Sequence, residues 1–148
     1  MTIVEQVNDG IKTAMKAKDQ ASLRTLRSIK SALLLEATSG SNSEVTDEIA
    51  LKAINKLAKQ RKDSLSIYEE QGREDLAVVE REELAILETF LPKQMEESQV
   101  REIIQGVITQ TGASGMGDMG KVMGMAIGKI GTQADGKVIS AIVRELLA

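Results

Sequence analysis

The chain has 148 residues, 42% of them hydrophobic, with no cysteine and no histidine. This composition allows one ordinary domain or two small ones, and it excludes disulfides, thiolate sites and imidazole-based proton transfer or metal binding. One Tyr, one Phe and no Trp leave no aromatic surface for stacking single-stranded bases, and the net charge of −3 argues against indiscriminate nucleic-acid binding. We therefore expect no metal and no cofactor.

Helical periodicity runs through the chain and strand signals are missing, which predicts an all-α fold. Capping residues and apolar spacing predict N-terminal helices over residues 2–18, 19–37, 46–72 and 74–90, with a loop over residues 38–43. Gly72 is expected to end the third helix in a left-handed conformation, and Pro92 to stop the fourth.

The composition changes after Pro92, where nine of the twelve glycines lie and the charges balance. Three shorter helices are predicted here, over residues 97–111, 116–130 and 136–147. We expect an N-terminal bundle of about four helices over residues 1–92 and a small three-helix bundle over residues 93–148.

The start of the chain does not resemble a signal peptide, because Glu5 and Asp9 interrupt it and no apolar segment follows. The longest uncharged stretch, residues 103–117, is too short and too polar to cross a bilayer. These features lead us to expect a cytoplasmic protein with no membrane partner.

Charged residues fall within the apolar stripes of three N-terminal helices when positions are projected at 100° per residue. The residues expected to point inward are Arg27, Lys30, Arg61, Glu80 and Glu83. Since an unpaired buried ion is very costly, we expect Arg61 to pair with Glu83 or Glu80, with Arg27 joining or bordering the network. This network either fixes helix register or binds an anion such as an RNA phosphate.

Glycines are spaced by four in the sixth helix, at Gly120, Gly124 and Gly128. Such a row allows close approach of another backbone, and we expect it to pack against a neighbouring helix, the alternative being an RNA backbone. The pattern from Gly115 to Gly120 matches the dinucleotide fingerprint, but the preceding strand that gives those glycines their role is missing. We interpret it as a loop that starts a helix, and the methionine and isoleucine row after it as core.

Lysines also line one side of the third helix, which suggests a solvated ridge or a path for a phosphate backbone. Together with cations of the last two helices they form the candidate RNA contacts, which are Lys52, Lys56, Lys59, Lys62, Lys121, Lys129, Lys137 and Arg144.

Three motifs carry a resemblance to a known family: residues 91–94 (Leu-Pro-Lys-Gln), 118–123 (Asp-Met-Gly-Lys-Val-Met) and 134–137 (Ala-Asp-Gly-Lys). With them, essentially the whole chain resembles the bacterial YqeY family. The resemblance implies a two-part helical protein whose C-terminal bundle is similar to the tRNA-recognising tail of GatB, the B subunit of glutamine-dependent aminoacyl-tRNA amidotransferase.

The chain departs from the family pattern in the loop before the last helix. Gly131-Thr132-Gln133 stands where the family usually has basic residues, and Gly128 stands where it commonly has proline. Both the loss of charge and the small number of remaining cations lead us to expect weak RNA affinity.

The leading hypothesis is a non-enzymatic protein whose partner is tRNA or a tRNA-handling complex. One alternative is a protein-interaction adaptor that uses the acidic fourth helix and the methionine-rich C-terminal face. Another is a component of a carbon–nitrogen ligase with glutamine as amido-N-donor. The chain has no amidase nucleophile pattern, which argues against this alternative.

Overall fold

The computed structural model describes residues 1–39 and 44–148. These residues are mainly helical and include no β-strand, so the all-α prediction is confirmed. The helices are α1 (Ile3–Ala17), α2 (Gln20–Thr38), α3 (Asp47–Glu70), α4 (Glu74–Glu88), α5 (Glu97–Thr111), α6 (Met119–Ile130) and α7 (Gly136–Leu147). The predicted loop at 38–43 is described only in part: Thr38 closes α2, and residues 40–43 lie outside the described residues.

Capping chemistry explains where most helices begin and end. Thr2 accepts a hydrogen bond from the Glu5 amide, and the Glu5 carboxylate accepts one from the Thr2 amide, which completes a capping box for α1. Gly72 is left-handed (φ +67°) after α3, as the sequence predicted. Lys18 is left-handed as well (φ 56°), which the sequence did not signal, because a residue with a Cβ strains that conformation by about 1 kcal/mol.

The end of α3 lies at Glu70, two residues before the predicted residue 72, and a boundary of each of two other helices is wrong by two or three residues. Residues Met116–Asp118 form a 3-10 turn, so α6 begins at Met119. The fourth helix, α4, ends at Glu88, before the predicted residue 90. The amides of Phe90 and Leu91 donate to carbonyls only three residues back, and these tighter turns precede Pro92.

The N-terminal unit comprises Met1–Leu91. In it α1 packs against α2, and α3 packs mainly against α4. The starts of α1 and α3 are joined directly, because the Asp47 carboxylate accepts a hydrogen bond of 3.0 Å from the Ile3 amide. The buried core consists of Ile3, Val7, Ala14, Leu23, Leu26, Ile29, Leu33, Ala50, Ile54, Ala58 and Leu87.

The C-terminal unit comprises Pro92–Ala148, with α6 packed against both α5 and α7. Its core consists of Val100, Ile104, Val107, Val122, Ala126, Ile130, Ile139, Ile142, Val143 and Leu147. The segment before α5 is held to the turn before α7, since the Met95 amide donates to the Gln133 carbonyl at 2.7 Å. Across the same unit, Arg101 of α5 bridges Glu97 at 3.3 Å and Glu145 of α7 at 3.0 Å.

The Arg101 bridge predicts an acid-sensitive contribution to stability. The hydrogen bond from Arg101 lowers the pKa of Glu145 below its ordinary value. Because the folded-state pKa is the lower one, the pair stabilises the unit above the unfolded-state value and is lost as pH falls through the folded-state value. We expect an NMR titration of Glu145 to show this low pKa, and Arg101→Gln to raise it. Arg144→Gln removes the same charge beside Glu145, and it should leave the pKa nearly unchanged; an equal rise in both variants would contradict the bridge.

Candidate functional site

Two buried carboxylates on α4 form the centre of an ion network in the N-terminal unit. Glu80 and Glu83 lie one turn apart and are the only buried charged residues among those that the structure describes. Arg61 of α3 reaches both: its Nε lies 3.0 Å from Glu83 Oε2, and its Nη1 lies 3.5 Å from Glu80 Oε2. The carboxylates are therefore held by a guanidinium that is itself mostly shielded from water.

The third helix of the network is α2, and its contribution comes from Arg24. Arg24 Nε donates to Glu83 Oε1 at 2.8 Å, and Arg24 Nη2 lies 3.4 Å from Glu82. The hydrogen bond to Glu83 raises the pKa of Arg24 above its ordinary value. Glu83 thus contacts two helices at once: one oxygen accepts a hydrogen bond from Arg24 of α2, and the other forms an ion pair with Arg61 of α3.

Arg27 and Lys30 were expected in this network and are not in it. Both are exposed, and neither forms an ion pair within residues 1–39 and 44–148. Positions three apart on a helix differ by about 60° in direction, so Arg27 is turned about 60° around α2 from Arg24, which is the residue that reaches α4. Periodicity alone did not show on which side of α2 the fourth helix packs, which is why Arg24 was missed.

One oxygen of the network is left without a hydrogen bond. Glu80 Oε2 is buried, and in the described chain it has no hydrogen-bond partner, since the Arg61 nitrogen at 3.5 Å is an ionic neighbour only. A buried carboxylate in this position depends on Arg61 for compensation of its charge. The arrangement leaves no cation of the network free to receive an external anion.

The candidate RNA contacts of the C-terminal unit are all exposed. Lys121 and Lys129 lie on α6, and Lys137 and Arg144 lie seven residues apart on one face of α7. Lys129 Nζ donates to Gln110 of α5 at 3.3 Å, so this lysine is oriented by its neighbour.

The expectation that the glycine row packs against a helix is wrong. Gly120, Gly124 and Gly128 are exposed, and a Cβ built on any of them would meet nothing within 4 Å. Each glycine precedes a buried residue of α6 by two positions, which turns it by about 200° and therefore away from the core.

The methionine and isoleucine row expected as core is only partly so: Ile130 is buried and Met119 and Met123 pack against the core, but Met116 and Ile127 are exposed. Val122, Ala126 and Ile130 are fully buried, whereas Met116 and Ile127 are 49% and 47% exposed. The open glycine face of α6 therefore lies between an exposed isoleucine and exposed lysines.

The lysines of α3 form the exposed ridge that the sequence suggested. Lys52, Lys56, Lys59 and Lys62 are all exposed. Lys52 lies 3.6 Å from Glu48, one turn earlier, in an ion pair that is open to solvent and contributes little to stability.

The described residues were also compared with the requirements of a metal site and of a membrane-spanning helix. No group of three or more His, Cys, Asp or Glu residues within 1–39 and 44–148 is placed to hold a metal ion. None of the helices that the structure describes is long and apolar enough to cross a membrane.

The described residues define an all-α helical protein with an internal ion network in one unit and exposed cations beside a glycine face in the other. The model of the family described as Yqey-like protein matches residues 4–147. The chain belongs to the YqeY family.

Comparison with individual proteins gives relatives of two kinds. The chain is 40% identical over 82 residues to the mitochondrial protein "Altered inheritance of mitochondria protein 41" of Meyerozyma guilliermondii, which covers 55% of this chain and 42% of that protein. The protein of the same name in Pyrenophora tritici-repentis is 25% identical over 98% of this chain and 81% of its own length. The third relative is a component of the glutamyl-tRNA(Gln) amidotransferase of Thermococcus gammatolerans, and it is 41% identical over 56 residues, or 38% of this chain and 9% of that protein.

The chain matches less than half the length of the Meyerozyma guilliermondii protein. The relatives also bear on the expected location of this chain. The cytoplasmic location expected from the sequence is wrong, because the relatives named for the inheritance of mitochondria are described as mitochondrial proteins. The bacterial origin that accompanied the resemblance stays a prediction.

The ion network predicts that Arg61 matters for stability and Arg27 does not. Arg61→Met leaves Glu80 without a compensating charge, and we expect it to lower the free energy of unfolding by about 2–4 kcal/mol in urea titrations. Arg27→Met removes the same kind of side chain from an exposed position of α2, and its effect should stay within about 0.5 kcal/mol. Equal effects of the two substitutions would show that the network does not hold the helices together.

The open glycine face predicts a gain of stability on adding a side chain. The Cβ added by Gly124→Ala has room, and the substitution reduces the conformational entropy that the chain loses when it folds. We therefore expect stabilisation by about 0.5–1 kcal/mol. Thermal and urea unfolding of the variant check this. A loss of stability would instead support close packing of the glycine row against another helix. Gly106→Ala, also at an open position in a helix, serves as the control.

Proposed function

We propose that this chain is a non-enzymatic protein that binds tRNA, or a protein complex that handles tRNA, through its C-terminal unit. The observation that carries the proposal is the face of α6, where three exposed glycines lie beside exposed lysines. A surface without side chains lets a nucleic-acid backbone come close to the helix, and lysines at its edge supply counter-charge to phosphates.

The cations are arranged for a small contact. Lys121 follows Gly120 directly and lies within one turn of Gly124, so its ammonium group borders the glycine face. Lys129, Lys137 and Arg144 add three further exposed charges in the same unit. The unit carries no exposed aromatic residue, and the proposed recognition therefore depends on backbone shape and charge, not on base stacking.

The comparisons support the same kind of partner without establishing it. A protein that shares a 56-residue similarity with this chain is named as part of a glutamyl-tRNA(Gln) amidotransferase. The proposal includes an association of this chain with such a complex. In it, residues 93–148 form a domain similar to the GatB tail and provide the docking surface. The exposed ridge of Lys52, Lys56, Lys59 and Lys62 is a second surface for phosphates in the N-terminal unit.

A specific observation favours one alternative, a protein-interaction adaptor. Met116, Ile127 and Val138 of the C-terminal unit are 49%, 47% and 41% exposed. Exposed apolar groups of this kind suit a protein partner better than a phosphate backbone. Association with an amidotransferase in the absence of RNA would favour this alternative.

A titration with tRNA separates these possibilities. With about three or four phosphates neutralised, affinity should fall by about 40-fold to 150-fold between about 50 and 200 mM salt. Lys121→Gln combined with Lys129→Gln should weaken binding and flatten this salt dependence, because two of the phosphate contacts are lost. Lys12→Gln with Lys16→Gln removes two exposed charges from α1 and is the matched control.

Three results would contradict the proposal. Binding of duplex DNA and heparin as strongly as tRNA would leave no specific recognition, and equal losses in the α6 and α1 variants would remove the assigned surface. Release of ammonia from glutamine by the purified chain would show an enzyme in place of a binding protein.

A further inference from the structure

A groove of about 450 Å³ lies between the first half of α1 and the second half of α2. Its walls are mainly aliphatic, and Asp47 fixes one end of it by holding the Ile3 amide. The apolar lining consists of Val4, Val7, Leu33, Leu34, Ala37 and Val45. The two charged residues of the lining are Lys30 on α2 and Glu44, which precedes α3. Its volume falls within the range of grooves that take a ligand or an anchoring side chain.

The surface beside the groove combines positive charge with exposed leucines. Lys30 lines the groove, and Arg27 lies two turns before Leu34 on the same side of α2. Leu34 and Leu35 are 57% and 70% exposed. From Arg27 to Leu35 the exposed residues of α2 include no acid.

This combination selects a protein segment over RNA. A phosphate backbone would satisfy Arg27 and Lys30, but it offers nothing aliphatic to Leu34 or to the groove. An aliphatic side chain between carboxylates satisfies both, since it places its apolar group in the groove and its charges against the cations.

The chain carries such a segment on α3. Ile67 is 51% exposed, Asp63 lies four residues before it and Glu70 three residues after it, so the three share one side of the helix. Asp63 and Glu70 are exposed, and neither is ion-paired with any residue that the structure describes. We call these three residues the Ile67 knob.

The knob of one molecule cannot reach its own groove. Asp47, the first residue of α3, contacts the groove end of the unit, and Ile67 is 20 residues further along the same continuous helix. At 1.5 Å per residue this separates them by about 30 Å. The occupant must therefore come from another molecule.

We propose that the groove between α1 and α2 receives the Ile67 knob of a second copy of this chain. Ile67 lies against Leu33 and Leu34, while Asp63 and Glu70 pair with Arg27 and Lys30 of the other copy. The contact uses the N-terminal unit only, so it does not depend on tRNA binding by the C-terminal unit.

Sedimentation velocity of the full chain, from about 1 µM to about 1 mM, tests this contact. We expect self-association that weakens as salt rises. Arg27→Glu with Lys30→Glu should make the chain monomeric, and so should Asp63→Lys with Glu70→Lys. Mixing the two double variants should restore association, because each then carries the charge that the other needs, and this recovery also shows that both variants are folded.

Matched controls and contrary outcomes complete the test. Lys12→Glu with Lys16→Glu reverses two exposed charges on α1 outside the groove and should leave association unchanged. A monomer over the whole concentration range, or no recovery on mixing, would overturn the proposal. Loss of tRNA binding in the Arg27 and Lys30 variant, with self-association intact, would assign these cations to RNA instead.

Discussion

The N-terminal unit depends on one acceptor, the carboxylate of Glu83. One of its oxygens accepts a hydrogen bond from Arg24 of α2 and the other forms an ion pair with Arg61 of α3, so it joins three helices at a single buried point. A carboxylate with only 7% of its side chain exposed is destabilising without such partners, and with them it restricts how α4 can slide or rotate against its neighbours. A shift of α4 by one helical turn would move Glu83 by about 5.4 Å and separate it from both guanidinium groups.

The same pairing limits what the N-terminal unit can bind. Arg24 and Arg61 are already neutralised, so the cations that the network leaves outside, such as Arg27, Lys30 and Lys56, are the ones that partners can reach. The C-terminal unit has a different organisation: its core is entirely aliphatic with partly buried methionines around it, and its charges lie at the surface. One unit thus buries ions for its structure, and the other presents them.

Much of the fold could be predicted because helix ends are local events. Thr2, Thr46 and Asp135 each accept a hydrogen bond from the first turn of the following helix, and these interactions can be read from residue type and spacing. The start of α6 could not be read in this way, since nothing in Met116–Asp118 distinguishes a 3-10 turn from the first turn of an α-helix.

Which side of a helix faces which neighbour was the harder question for the site. Projection correctly suggested that Glu80 and Glu83 lie among apolar residues, but the same method favoured Arg27 over Arg24 because the position of α4 relative to α2 is a tertiary property. For α6, a glycine row and a valine–alanine–isoleucine row have identical spacing, and side-chain size alone did not decide which of them is buried. Small residues are compatible with close packing and with an open face alike.

The open row also makes α6 the least self-sufficient helix of its unit. Three glycines in twelve residues weaken its intrinsic helicity, and a Cβ on any of them would meet nothing within 4 Å among the residues that the structure describes. Its helical conformation therefore depends on packing against α5 and α7, which contact the opposite side. Removing the last helix would release α6 as well, so the three segments should melt and be cut by proteases as one cooperative block.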